Sequence, residues 1–415
     1  MSLEKTRLRL GIVPLCDCAP IVVAKERGFF AEQGLDVDIA REPSWANIRD
    51  KVLVGALDGA QMLATMPLAA TLGLGNVHQP IITALGLNVG GNAITVSNDL
   101  FDRMQGADPA AMAAKPISAR ALKTVIEQDR AAGAPPMTFA TVYPFSPHNY
   151  ELRAWMAAAG IDPDRDIRLV VIPPPQMVGN LSAGNIVGYC VGEPWNGMAT
   201  SLGLGHRLVT SQELWGGRVE KVLGVTEGWA DTHPETHKAL IRALLQACRW
   251  ADQPENRHEV ARLIAQPSYV NAPLEVVRDT LEKPGTMLFS AHAANFPWRS
   301  QALWFLVQMR RWGQLPAAID MRRAADRIFR ADLYRLAALE VDFPVPLSDA
   351  KVEGDHPAPW SLIDATQPIV MGPDVFFDGG RFDPANAETL ADSYALAPLS
   401  GVPGNDTLIQ RRTDR

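Results

Sequence analysis

From Arg7 to Gly73 the chain alternates strand-like and helix-like segments in an order that leaves few folds open. RLRLGIV (7–13) alternates as a strand does, and residues 20–34 have helical spacing and stop at Gly34. LDVDI is a second strand, WANIRDKVLVGALDG a second helix and AQML a short third strand. That strand runs into TMPLAATLGLG, where Thr65 is placed to cap a helix with Pro67 in its first turn. Strands alternating with helices of this length imply a parallel sheet with right-handed crossovers. Ligands of such sheets sit beyond the carboxyl ends of the strands, where helices begin and free N–H groups suit an anion.

The same grammar recurs further on. MTFATVY, IRLVVI and IVGYCVG read as strands, and SPHNYELRAWMAAAG as a helix with Ser146 as cap and Pro147 at its first position. EPWNGMATSLGLG is a further helix opened by Pro194. Two such units give two lobes that close on a ligand by a hinge. At 415 residues, more than one core is expected. The division read from the sequence is residues 1–100 as the first part of lobe one, 101–222 as crossover and lobe two, 223–342 as a helical return to lobe one, and 343–415 as a surface-wrapping extension. Within the return, Thr232-x-x-Glu235 reads as a capping box. Trp298, Ala302, Phe305, Leu306 and Met309 form one helix face, which at this spacing is read as core.

Several functions are disfavoured by composition. A net charge of −7 argues against nucleic acid or an anionic membrane as a direct partner over a broad surface. No apolar run of about 18 residues occurs, so no membrane insertion is expected. Glu4, Lys5, Arg7 and Arg9 interrupt the start in a way a secretory signal does not tolerate, which gives the expectation of a cytoplasmic protein. Cys16-x-Cys18 is one of the places where a metal or redox site is conceivable, yet no second Cys/His cluster completes it. The four cysteines therefore read as packed thiols, and no metal or cofactor is expected. Neither G-x-S-x-G nor H-E-x-x-H occurs, and the chain is expected not to be an enzyme.

SWANIRDKVLVGALDGAQMLATMPLA, SPHNYELR, VIPPPQMVGNLSAGNIVGYCVGEPWN, LWGGRVEKVLGV, PWRSQALWFLVQMRRWG and DGGRFDPAN follow one another along residues 7–387. Together they resemble the nitrate- and bicarbonate-binding branch of the type II periplasmic-binding-protein-like fold. The branch contains exported receptors of ABC transporters and cytoplasmic nitrate/nitrite sensors of the NasS type. With the start described above, the resemblance implies the sensor: a protein that binds nitrate or nitrite and controls an RNA-binding transcription antitermination regulator of nitrate assimilation. The alternative is an exported solute-binding protein of a nitrate or bicarbonate ABC transporter. The resemblance also implies ligand-binding positions at Trp45 in SWANIRD, Asn92 in GGNAIT, His148 in SPHN, Gly192 in VGEPWN and Lys221 in VEKVLG. Asn92 stands where the transporter receptors of the branch often have glutamine, and Arg218-Val219 where they often have a histidine–proline pair.

Nitrate is planar, singly charged and carries no proton, so its site is expected to consist of donors. Trp45 and His148 lie in first helical turns, and Lys221 supplies a compact counter-charge. Taken singly, a tryptophan at a helix start is usually packing, a first-turn histidine usually solvated, and Lys221 beside Glu220 a surface pair of little consequence. A carboxylate in the site would repel nitrate but accept the proton of bicarbonate.

Overall fold

The computed structural model describes residues 2–75, 78–283 and 285–394. Its strands are β1 (Arg7–Ile12), β2 (Asp36–Arg41), β3 (Gly59–Leu63), β4 (Ile81–Gly90), β5 (Asn92–Ser97), β6 (Thr138–Thr141), β7 (Arg168–Val171), β8 (Gly188–Gly192), β9 (Gly205–Thr210), β10 (Val219–Thr226), β11 (Met287–Leu288), β12 (Trp360–Leu362) and β13 (Ile369–Met371). The first lobe is built on a six-stranded sheet ordered β11-β4-β10-β3-β1-β2, the second on a five-stranded sheet ordered β7-β6-β8-β5-β9.

The expected parallel pairing holds for β1 with β2 and β3, and for β6 with β7 and β8. It fails where the chain changes lobe. β4 leaves the first lobe and β10 returns to it, so the two pair antiparallel, as do β5 and β9 on the other side. Both sheets are therefore mixed, and the architecture is that of the expected two-lobed α/β fold.

The two crossings lie elsewhere than the sequence division put them. β5 already belongs to the second sheet and β10 already to the first, so the first crossing is at Gly90–Gly91 rather than residue 100, and the second precedes 219 rather than following 222. A strand that continues straight across a hinge shows no shift in composition. The signal is the glycine pair, with φ of 75° and 95°, a conformation that a Cβ disfavours.

Two helix starts form as expected. Ser44 caps the helix Trp45–Leu53 by accepting from the N–H of Asn47, and Ser146 caps Pro147–Ala158 by accepting from that of Asn149. Two others differ. Thr65 does not cap its helix: its hydroxyl donates to the Phe145 carbonyl of the second lobe at 2.6 Å. At the helix Pro234–Asp252 the carboxylate of Glu4 accepts from the N–H groups of Glu235 and Thr236, replacing the capping box read at Thr232. The helix Arg299–Arg311 buries Ala302, Phe305, Leu306 and Met309 as core.

One hydrophobic cluster runs from Trp45 and Ile48 of the first lobe through Phe139 and Tyr150 of the second to Phe305 and Phe376. Residues 343–394 carry the β12–β13 hairpin and send Phe376 and Phe382 into that cluster. They also pair with the second crossing: the N–H of Gly216 donates to the Val375 carbonyl at 3.1 Å, and that of Phe377 to the Leu214 carbonyl at 2.9 Å. No helix among the described residues is long and apolar enough to cross a membrane.

Candidate functional site

β10 is irregular in register between Val219 and Val222, and its consecutive polar residues Glu220 and Lys221 meet at the seam between the lobes. Lys221 is fully buried there. Its ammonium lies 2.8 Å from Asp17 Oδ2 and 3.0 Å from Glu220 Oε1, and 5.6 Å from the centre of the Trp45 ring. Asp17 sits on the short turn after β1. Its other oxygen accepts from the Gln61 side chain, whose own carbonyl accepts from the N–H of Val13 at 2.8 Å. The first lobe thus holds the lysine through a buried chain of polar contacts.

From the second lobe come Asn92 on β5, Gly192 on β8, and His148 and Glu151 on the capped helix. His148 Nδ1 faces Glu220 Oε1 at 3.4 Å. The Asn92 amide nitrogen donates to Glu151 Oε2 at 3.2 Å, and the Cys190 thiol to the same oxygen at 3.7 Å. Asn92 and Gly192 are direct partners across β5 and β8. A Cβ at Gly192 would meet Leu15 Cδ2 at 3.2 Å, and Asn92 Oδ1 and Asp17 Oδ2 at 3.5 Å each. The glycine keeps open a space between the two lobes. The five positions named from the sequence therefore lie along one seam. Trp45 Nε1, both ring nitrogens of His148 and Asn92 Oδ1 are buried with no hydrogen-bond partner in the protein. Such groups are costly unless something else satisfies them.

One expectation is overturned. The site is not made of donors alone, because Asp17, Glu151 and Glu220 bring three buried carboxylates to one ammonium. The Asn92 donor is spent on Glu151, leaving its carbonyl oxygen free. Nor is Lys221–Glu220 a surface pair, since both are buried. Glu151 was legible in SPHNYELR, three residues after His148 and so on the same helix face. Asp17 had no such signal, lying between two cysteines in a turn.

Burial pushes the Glu151 carboxyl up to about 8, and the charge of Glu220 adds to it while the Asn92 amide opposes it. Burial raises Glu220 and Asp17 as well, against the pull of Lys221. Burial alone would lower Lys221, but Asp17 and Glu220 outweigh it and hold the ammonium charged. Burial, with the charge of Lys221, keeps His148 neutral. Cys16 and Cys18 are buried, free thiols pushed well up by the same loss of solvation, which makes them poor nucleophiles or ligands. No group of three metal-ligating side chains occurs among the described residues.

The seam is shut by further contacts between lobes. The Trp195 indole donates to the Pro14 carbonyl at 3.0 Å, and the N–H of Cys16 to the Glu193 carbonyl at 2.8 Å. A ligand reaches this site only when the lobes part. Beside it, Arg218 is buried among the rings of Trp215, Trp304 and Phe376, its guanidinium carbon 4.0 Å from the centre of the last.

A profile of the NMT1-like family matches residues 1–265. The nitrate import ATP-binding protein NrtC of a Synechocystis strain is 40% identical over 370 residues, 86% of this chain. The bicarbonate transport ATP-binding protein CmpC of the same strain is 41% identical over 372 residues, 85% of this chain. The chain spans about half the length of these two relatives, 52% and 54%. The crystal structure of the periplasmic nitrate-binding protein NrtA from Synechocystis PCC 6803 superimposes with a TM-score of 0.83 at 30% identity, covering 95% of this chain and 100% of the other. On the family match and on this similarity over nearly the whole length, the chain belongs to the NMT1-like family and is close to the nitrate-binding NrtA proteins.

Proposed function

We propose that the chain is the anion-binding component of an ABC importer, with nitrate or nitrite as its ligand. The observation that carries this is the fully buried, charged Lys221, with the ring of Trp45 from the same lobe centred 5.6 Å away and its indole N–H unpartnered, and with the unpartnered ring of His148 brought from the other lobe. A small anion satisfies all three, and closure around it removes competing water. One relative is named for nitrate import and another for bicarbonate transport, which supports the receptor reading over the sensor that the start of the sequence suggested.

A second reading is favoured by one specific observation. Glu151 and Glu220 are acceptors, and the hydroxyl of bicarbonate is a donor that matches them. Calorimetric titration of the protein with nitrate, nitrite and bicarbonate tests both. Nitrate or nitrite binding with bicarbonate inert is the expected result; bicarbonate binding alone overturns the proposal. Pull-down with and without nitrate addresses the partner: recovery of transporter subunits supports the importer, and recovery of an RNA-binding regulator only without nitrate returns the sensor.

A further inference from the structure

Among the described residues Lys221 is the one ammonium brought to three buried carboxylates, 2.8 Å from Asp17 and 3.0 Å from Glu220, with Glu151 in the field of both Glu220 and Lys221. If Asp17, Glu151 and Glu220 were all ionised, the site would carry an excess of two negative charges before any ligand arrived. An anion that closes into such a site adds a third, in a place where charge is poorly screened. Bicarbonate could relieve this by carrying its own proton to an acceptor. Nitrate cannot. We propose that nitrate binds only when the Glu151–Glu220 pair holds a proton, taken up from solvent with the nitrate where the pair is not already protonated. The inference rests on the anion reading above and makes a protonated carboxyl pair a condition of binding at that site.

The surroundings of Glu151 single it out as the carboxyl that holds the proton. On its own helix it has His148, neutral and one turn back. From β5 it receives the Asn92 amide, from β8 the Cys190 thiol, and from β10 the fields of Glu220, Lys221 and, more remotely, Arg218. Asp17 and Glu220 each have the Lys221 ammonium within 3.0 Å. Among the described residues Glu151 has no cation in contact, only the Asn92 amide and the Cys190 thiol. When one of three carboxyls must stay neutral, the one without a counter-charge does so. Its neutral form also suits the anion in a way the ionised form cannot, since a protonated carboxyl is a donor. The raised affinity of Glu151 for protons is consistent with this assignment, and the pair with Glu220 titrates as a unit.

Glu151 is thus a positioning residue whose protonation state sets the affinity. Below the pH at which the pair titrates, the proton is already in place, and nitrate binds without drawing another. Above it, each nitrate bound must take up a proton. The test is calorimetry on the intact protein at pH 6 and pH 9, each in two buffers of different ionisation enthalpy. Proton uptake close to zero at pH 6 and approaching one per nitrate at pH 9 is expected. The Kd should rise about tenfold across that interval, as one-proton linkage requires. The wild-type protein alone carries this part of the test, so no variant need fold. In Glu151→Gln the pH profile should flatten. A Glu151→Gln protein that keeps the full wild-type slope overturns the assignment and moves the proton to Glu220 or His148. Nitrate binding with one Kd and no proton uptake at both pH values overturns co-binding while leaving the anion reading intact. Nitrate that binds at neither pH removes the anion reading and this inference with it.

Discussion

At the scale of single residues, the site combines groups that the sequence names readily with groups it conceals. Trp45 and His148 were legible because capping serines and, for His148, a following proline fix where their helices begin, and a first turn aims side chains into the cleft. Asp17 was hidden because nothing in a pattern of apolar and polar residues tells a buried aspartate from an exposed one. Two substitutions follow from this chemistry. Trp45→Phe removes an indole N–H that makes no bond within the protein, so the cost falls mainly on the ligand. A lost hydrogen bond to a charged group costs about 1.5–3 kcal/mol, and nitrate affinity measured by calorimetry should fall by about ten- to a hundredfold. Lys221→Met acts on both folding and binding. It leaves Asp17 and Glu220 buried without their cation, and breaking such a contact costs about 3–5 kcal/mol. Denaturant midpoints should drop accordingly at neutral pH. Adding Asp17→Asn should restore part of that loss without restoring nitrate binding, and a double variant no more stable than the single one would show that the Asp17 contact is not the source of the cost.

At the scale of elements, periodicity made most of the helices and strands visible, while the joints between lobes were misplaced. β5 and β10 look like ordinary members of the units they adjoin, and apart from the Gly90–Gly91 pair before β5 it is the pairing partners that reveal each has crossed the hinge. Residues 343–394 show no periodicity, because their hold on the molecule is a few point contacts rather than a repeating face. The strongest is at the second crossing. There Phe376 pairs with Trp215, stacks edge-on against Trp304 and covers the Arg218 guanidinium. Burial pulls that guanidinium down to about 10, against the opposing charges of Glu353 and Asp374. Removing the ring therefore opens a cavity beside a buried charge. Phe376→Ala should cost about 3–5 kcal/mol, read as a lowered denaturant midpoint. Val370→Ala in the same extension, on a side chain 66% exposed, should change stability by less than about 0.5 kcal/mol. Equal effects of the two would mean that the extension holds to the hinge through its backbone pairing and not through the aromatic cage.

At the scale of the whole molecule, the buried titrating groups give the stability an unusual dependence on pH. His237 is pulled down to about 4 by burial, and His148 lies well below its ordinary value. In the unfolded chain both would bind protons below about 6.5, so they favour the folded state increasingly as pH rises to that point and contribute nothing further above it. The carboxyls act in the opposite sense. Glu151, raised to about 8, keeps its proton in the folded state after the unfolded chain has lost it, and Glu220, Asp17 and Glu193 are raised in the same direction. A group raised on folding contributes stability that is complete below its unfolded value and is lost as pH climbs through its folded one. Below about 6.5 the two sets oppose each other. Between pH 7 and 8 only the carboxyls remain, the folded state binds more protons than the unfolded, and stability must fall by about 1.4 kcal/mol per pH unit for each proton held. Many proteins are flat in this interval. Thermal unfolding at pH 6.5, 7.5 and 8.5 should show a declining Tm, with the decline reduced in Glu151→Gln. Saturating nitrate should move the decline to higher pH, because an anion beside Glu151 makes the folded state hold its proton longer. A Tm that is constant or rises from pH 7 to 8 would mean that the seam carboxyls are ionised in the folded protein, with Lys221 the single ammonium set against all three.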